Sequence, residues 1–159
     1  MPHSPNSVFM RRAIALATEN VQAGLGGPFA ALIVRDGQIV AEAANSVTTT
    51  NDPTAHGEVN AIRKACAALA SFSLSGCEIY SSCEPCPMCL AAIYWARLDA
   101  VHFACSQQDA AKAGFDDAFL YEEFRKNAEE RSMRTSQFLQ EEGWEPFATW
   151  QASLAKVDY

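Results

Sequence analysis

A chain of 159 residues is long enough for one domain with a sizeable core, and 49% apolar with 19% charged residues is an ordinary globular balance. The net charge of −7, from 12 Lys and Arg against 19 Asp and Glu, opposes binding to a phosphate backbone, so no nucleic-acid partner is expected. No apolar run approaches the roughly 20 residues of a membrane span, and the start MPHSPNSVFMRRA lacks a signal-peptide core; the expected setting is the cytoplasm, with six reduced cysteines.

Residues 7–23 predict a helix, with Met10, Ile14, Ala17 and Val21 on one apolar stripe and Ser7 as its N-cap. Gly24-Leu25-Gly26-Gly27-Pro28 ends it; with no GK[ST] and a strand following rather than preceding, this is not a phosphate loop. Residues 29–35 and 38–45 form a hairpin about Asp36-Gly37. A polar loop from Asn45 to Pro53 then leads to a helix over 55–69, capped by Thr54 and buried along Val59, Ile62, Cys66 and Leu69. A third strand covers 77–82, and a third helix starts near Cys86 with Pro87 in its first turn. A fourth strand follows at 100–104, a short helix in the acidic and aromatic stretch 113–124, a fifth strand at 133–139 and a last helix at 147–155. Strands alternating with helices predict an α/β fold of three layers, α/β/α: a central, mixed, five-stranded sheet covered by helices on both faces, in one domain spanning 1–159.

Two stretches carry chemistry: His56-Gly57-Glu58 and, thirty residues after His56, Pro85-Cys86-Pro87-Met88-Cys89. Cys86 and Cys89 are i, i+3 and share a helix face. One imidazole and two thiolates make three donors, which suits a catalytic Zn²⁺ that keeps its fourth position for water or hydroxide. Glu58, two residues from His56, is placed to move protons. The pattern H-x-E…P-C-x-x-C is the signature of zinc-dependent base deaminases. Zinc with two thiolates and a neutral imidazole carries no net charge, so the positive ends of two helices would help it acidify water. A second acid near the leaving group would assist, and residues 116–123 offer candidates.

Other readings of the cysteines are weaker. A redox CxxC lacks a reason for His56 and Glu58. An iron–sulfur run would need a cysteine at 93, which is Ile. Cys83 could complete a closed Cys3His site, making the protein a structural-zinc interaction module, but it precedes the turn and leaves Glu58 without a purpose. Cys66, Cys77 and Cys105 read as buried apolar residues, and His3 and His102 as structural.

The chain resembles the cytidine/deoxycytidylate deaminase superfamily, and within it the bacterial guanine deaminases. The resemblance runs through Gly26-Gly27-Pro28-Phe29, Asn51 to His56, Ser82 to Cys89, Ile93-Tyr94-Trp95-Ala96-Arg97 and Ala113-Gly114-Phe115-Asp116-Asp117, and includes a tail ending in Tyr. It implies a cytidine deaminase-like fold, one zinc per subunit held by His56, Cys86 and Cys89, and hydrolysis of guanine to xanthine and ammonia. Phe29 and Trp95 would line or stack on the purine, Asn45 would hydrogen-bond its edge, and the backbone at Gly57, where the superfamily usually has Ala, would contact the base. Asp117 matches the second proton shuttle, with Glu122 an equal candidate. The resemblance further implies a homodimer exchanging its C-terminal segments, about 146–159, so that Tyr159 caps a pocket. A tRNA adenosine deaminase and a cytidine deaminase share the zinc motifs and remain alternatives.

Overall fold

The computed structural model describes residues 4–115 and 118–159, and the chain divides between Ala118 and Phe119 into two compact units. In the first unit, α1 (Ser7–Gln22) precedes a hairpin of β1 (Ala30–Arg35) and β2 (Gln38–Ala44). Asp36 and Gly37, at φ 51° and 73°, both adopt the left-handed backbone that a tight two-residue hairpin requires. A single turn, α2 (Val47–Thr50), leads to α3 (Gly57–Leu69), β3 (Cys77–Cys83), α4 (Pro87–Trp95), β4 (Ala100–Cys105) and α5 (Gln107–Lys112).

The strands are ordered β2-β1-β3-β4; β1 runs antiparallel to both neighbours, and β3 and β4 are parallel. Ala31 sits opposite Ala43 on one side and Ser81 on the other. The carboxyl ends of β2, β3 and β4 therefore meet the amino end of β1 at one edge of the sheet. Alternation along β1 sends Ala31 and Ile33 to one face and Leu32 and Val34 to the other. The first pair packs with Ala61 and Ala65 of α3 and Ile93 of α4; the second packs with Ala13 of α1. This is the expected α/β/α layering.

The expected stripe on α1 is rotated. The buried positions are Ala13, Ala17 and Asn20, whereas Ile14 and Val21 are exposed. Small residues let the helix lie close to the sheet. Its N-cap is Asn6, whose side chain accepts from the Val8 amide, not Ser7. On α3 the fully buried positions are Gly57, Glu58, Ala61 and Ala65, with Ile62, Cys66 and Leu69 packed beside them.

The second unit holds most of α6 (Ala118–Arg125), two 3-10 turns and α7 (Glu145–Ala152). Among the described residues the sheet has four strands, so the expected count of five is corrected: 133–139 is not a strand. Met133-Arg134-Thr135-Ser136-Gln137-Phe138-Leu139 has no sustained alternation and no ladder partner to hold it extended. No residue of 119–159 is buried, and Phe138, Trp144, Phe147 and Leu154 are all exposed. No described helix is long and apolar enough to cross a membrane.

Candidate active site

Two helix starts supply the donors. His56 is the N-cap of α3 and Cys86 the N-cap of α4; neither side chain makes a capping hydrogen bond. Pro87 opens α4, where a missing N–H costs nothing, and one turn of helix brings Cys89 under Cys86. His56 Nδ1 lies 3.6 Å from Cys86 Sγ and 3.5 Å from Cys89 Sγ, and the three donor atoms all fall within 4.8 Å of one another. A tetrahedral zinc bonded to S at about 2.3 Å and N at about 2.0–2.1 Å has an N···S edge of about 3.6 Å. The donor set fits that ion in identity, number and spacing.

Cys86 is lowered because the Cys89 thiol donates to it, burial opposes this, and His56 adds a second favourable bond; the same interaction raises Cys89. Metal ligation would remove the remaining proton. Cys83 stands apart: its thiol donates to the Ser106 carbonyl at 3.6 Å, and burial pushes its pKa up to about 11. Among the described residues the grouped donors are His56, Cys86 and Cys89, with Cys83 outside the set.

Glu58 occupies the first turn of α3 and is 5% exposed. Ser81 Oγ on β3 donates to its Oε1 at 3.2 Å, and the Cys89 thiol to its Oε2 at 3.5 Å. Burial raises its pKa above the ordinary carboxylate range; the Cys86 charge adds to this, while its own backbone amide and His56 pull the other way. A carboxyl so placed can both take up and give back a proton.

A cavity of about 270 Å³ opens at this sheet edge, large enough for one small heterocycle. Phe29, Asn45, His56, Glu58, Cys86 and Phe115 line it, and Phe115 meets Phe29 edge to face at 4.8 Å. Backbone bonds hold the part of the lining around Phe29 and Asn45. Asn45 Oδ1 accepts from the amides of Gly27 and Val47, and the Asn45 amide donates to the Phe29 carbonyl. A Cβ on Gly26 would stand 2.1 Å from the Asn45 carbonyl oxygen. Gly26→Ala must therefore move that lining. A loss of stability of about 1–3 kcal/mol or more is expected, together with weakened substrate binding; thermal melts and KM check both.

The profile for the cytidine and deoxycytidylate deaminase zinc-binding region matches residues 3–105. The chain belongs to this deaminase family. Within it, the chain is 54% identical to guanine deaminase of Bacillus subtilis over 154 residues, covering 97% of this chain and 99% of that one. The crystal structure of guanine deaminase from that organism superposes with a TM-score of 0.95 over 98% of this chain and 99% of the other. The tRNA-specific adenosine deaminase of Bacillus subtilis is 34% identical over 125 residues, 78% of this chain and 77% of its own. A solved structure in complex with 8-azaguanine is 32% identical with a TM-score of 0.66, covering 69% of this chain and 63% of that chain.

Against that deaminase framework, Phe29, Asn45, His56, Glu58 and Cys86 converge on the cavity, and Cys89 lies buried beside it. Gly57 is buried behind Phe29, where a Cβ would stand 2.9 Å from Ala30 Cα; it does not line the cavity. Trp95 does not line it either. It ends α4 about 120° around the helix from Cys89, and is 65% exposed. Glu122 lies on α6 in the second unit, ion-paired with Arg125 at 2.6 Å, and Tyr159 is in the same unit, edge to face with Trp150. Asp117 lies outside the described residues. Three residues for which the sequence carries no expectation matter here: Asn20, Ser81 and Phe115. The hydrophobic pattern gave no signal for the polar ones, because their partners are distant in sequence.

Proposed function

We propose that the chain is a guanine deaminase, converting guanine and water to xanthine and ammonia in purine breakdown. The observation that carries this is the likeness to guanine deaminase across the whole of both chains, beyond the zinc motifs that every deaminase of the family shares. The purine enters the cavity against Phe29, and Asn45 donates to an acceptor on its edge. His56, Cys86 and Cys89 would hold one zinc per chain, and three protein donors suit an ion that activates water. When bound, the zinc supplies Lewis acidity that lowers the pKa of water from about 16 to about 7. Glu58 takes a proton from the attacking water and gives it to the ring nitrogen beside the reacting carbon. Ser81 holds the carboxylate in place between the two transfers. The second proton reaches the leaving amino group through Glu58 or a second acid, Asp117 or Glu122. The carbon–nitrogen bond breaks, ammonia departs and a carbonyl remains.

The subunits pair in this reading and exchange residues 146–159, with Tyr159 capping a partner's pocket. Supporting it, the second unit leaves Phe147, Leu154, Val157 and Tyr159 exposed, more apolar surface than so short a unit would leave open on its own. The deciding experiment incubates the zinc-loaded protein with guanine, adenine, cytosine, their nucleosides, an amino-triazine and a tRNA anticodon stem-loop. Ammonia and xanthine from guanine are expected. Turnover of another substrate with none of guanine would overturn the assignment.

A further inference from the structure

We infer that Asn20, on the last turn of α1, is a positioning residue that sets how the purine is read; this rests on the guanine deaminase reading above. Asn20 is 7% exposed and sits on the sheet-facing side of α1, where the helix otherwise buries only alanines. Its side-chain amide spends both hydrogens on one task. Nδ2 donates to the Gly27 carbonyl at 2.9 Å and to the Asn45 carbonyl at 2.9 Å. These two residues are 7 and 25 positions away, on the segment entering β1 and the segment leaving β2. A single planar NH2 group thus ties together the two strands of backbone that make the cavity wall.

The link continues to the groups that meet the ligand. The Phe29 amide donates to the same Gly27 carbonyl at 2.9 Å, and the Asn45 amide donates to the Phe29 carbonyl at 2.8 Å. The Gly27 amide donates to Asn45 Oδ1 at 3.3 Å, and the Val47 amide donates to it at 3.2 Å. The Asn45 oxygen is therefore occupied by backbone, and its NH2 is the end presented to the cavity. The pocket offers a hydrogen-bond donor at that point and selects an acceptor on the purine. The Val47 amide supplies the local half of this choice; the other half, the Gly27 amide, depends on holding the Gly27 and Asn45 backbones at one separation, which the Asn20 amide does. The space is closed to other solutions, since a Cβ at Gly26 would lie 3.1 Å from Asn20 Nδ2. The side-chain bonds of Glu58 run to Ser81 and Cys89, on β3 and α4, so loss of the Asn20 link should touch binding and leave the proton transfers alone.

The test is a double-mutant cycle of Asn20→Ala and Asn45→Ala, reading kcat and KM for guanine and zinc content. Asn20→Ala is expected to raise KM about tenfold, with kcat within about twofold and zinc unchanged. In the Asn45→Ala background the same substitution should raise KM no further, because the group it positions is gone. Asn20→Ser, which keeps one donor for the two carbonyls, should fall between wild type and Asn20→Ala, and it takes the place of Asn20→Ala in the cycle if that variant does not fold. An unchanged KM in Asn20→Ala, or a full and independent effect in the Asn45→Ala background, would overturn the inference. Wild-type protein that turns over a different purine instead would count against the guanine reading alone, and the cycle run on that purine would still decide Asn20.

Discussion

Glu58→Gln is expected to lower kcat by roughly 10²- to 10⁴-fold while zinc content stays at the wild-type level. The amide has the shape of the carboxyl and can keep the Ser81 hydrogen bond, so the site should retain its form. What it cannot do is accept a proton from water and release it to a ring nitrogen. No other described acid lines the cavity except Glu84, whose carboxylate accepts from the Gln107 amide at 2.9 Å. Steady-state kinetics with guanine, paired with metal analysis of the same preparation, check the outcome. A variant that stayed within tenfold of wild type would remove Glu58 from the proton path.

Removing the metal is expected to cost at least as much. Dialysis against a chelator should abolish activity, and one equivalent of Zn²⁺ per chain should restore it, whereas Cys86→Ala and Cys89→Ala should lose both the ion and its rescue. Cys83→Ala separates a three-donor site from a closed one. Its thiol is held protonated and turned to the Ser106 carbonyl, so zinc should remain bound in full, with activity within about an order of magnitude. Loss of zinc in Cys83→Ala would mean a fourth protein ligand and no position left for water.

Much of this was legible in the sequence because local rules and the fold agree. Asp36-Gly37 demands a hairpin turn, Pro87 can only open a helix, and the spacing of Cys86 and Cys89 places both on one face; the structure has all three. His56 and Glu58 were recognised as types, but their geometry depends on β1 pairing with β3, which sequence spacing does not encode. The errors have physical sources. Apolar periodicity chose Ile14 and Val21 over Ala13 and Asn20 on α1, because it ranks side chains by hydrophobicity and not by how closely a helix can approach a sheet. The resemblance implies a pocket role for Trp95, which ends α4 and is exposed in this chain. Residues 133–139 had β-forming side chains but no neighbour to pair with. Asn20 was invisible for a simpler reason: a lone asparagine in a helix has no pattern, and its meaning lies in two carbonyls on other segments.

The positions of His56 and Cys86 also distribute local stability unevenly. An N-cap is ordinarily Ser, Thr, Asp or Asn, whose side chain closes off a free amide and contributes about 1 kcal/mol. Here both N-cap side chains point to the metal donors' shared centre, and α3 and α4 go without that bond. The first turns of the two helices, which carry Glu58 and Cys89, are thus buried yet uncapped by their N-cap side chains. Ion loading would instead tie the two helix starts to one another through His56, Cys86 and Cys89, so catalytic readiness and the order of the two helix starts would rise and fall together.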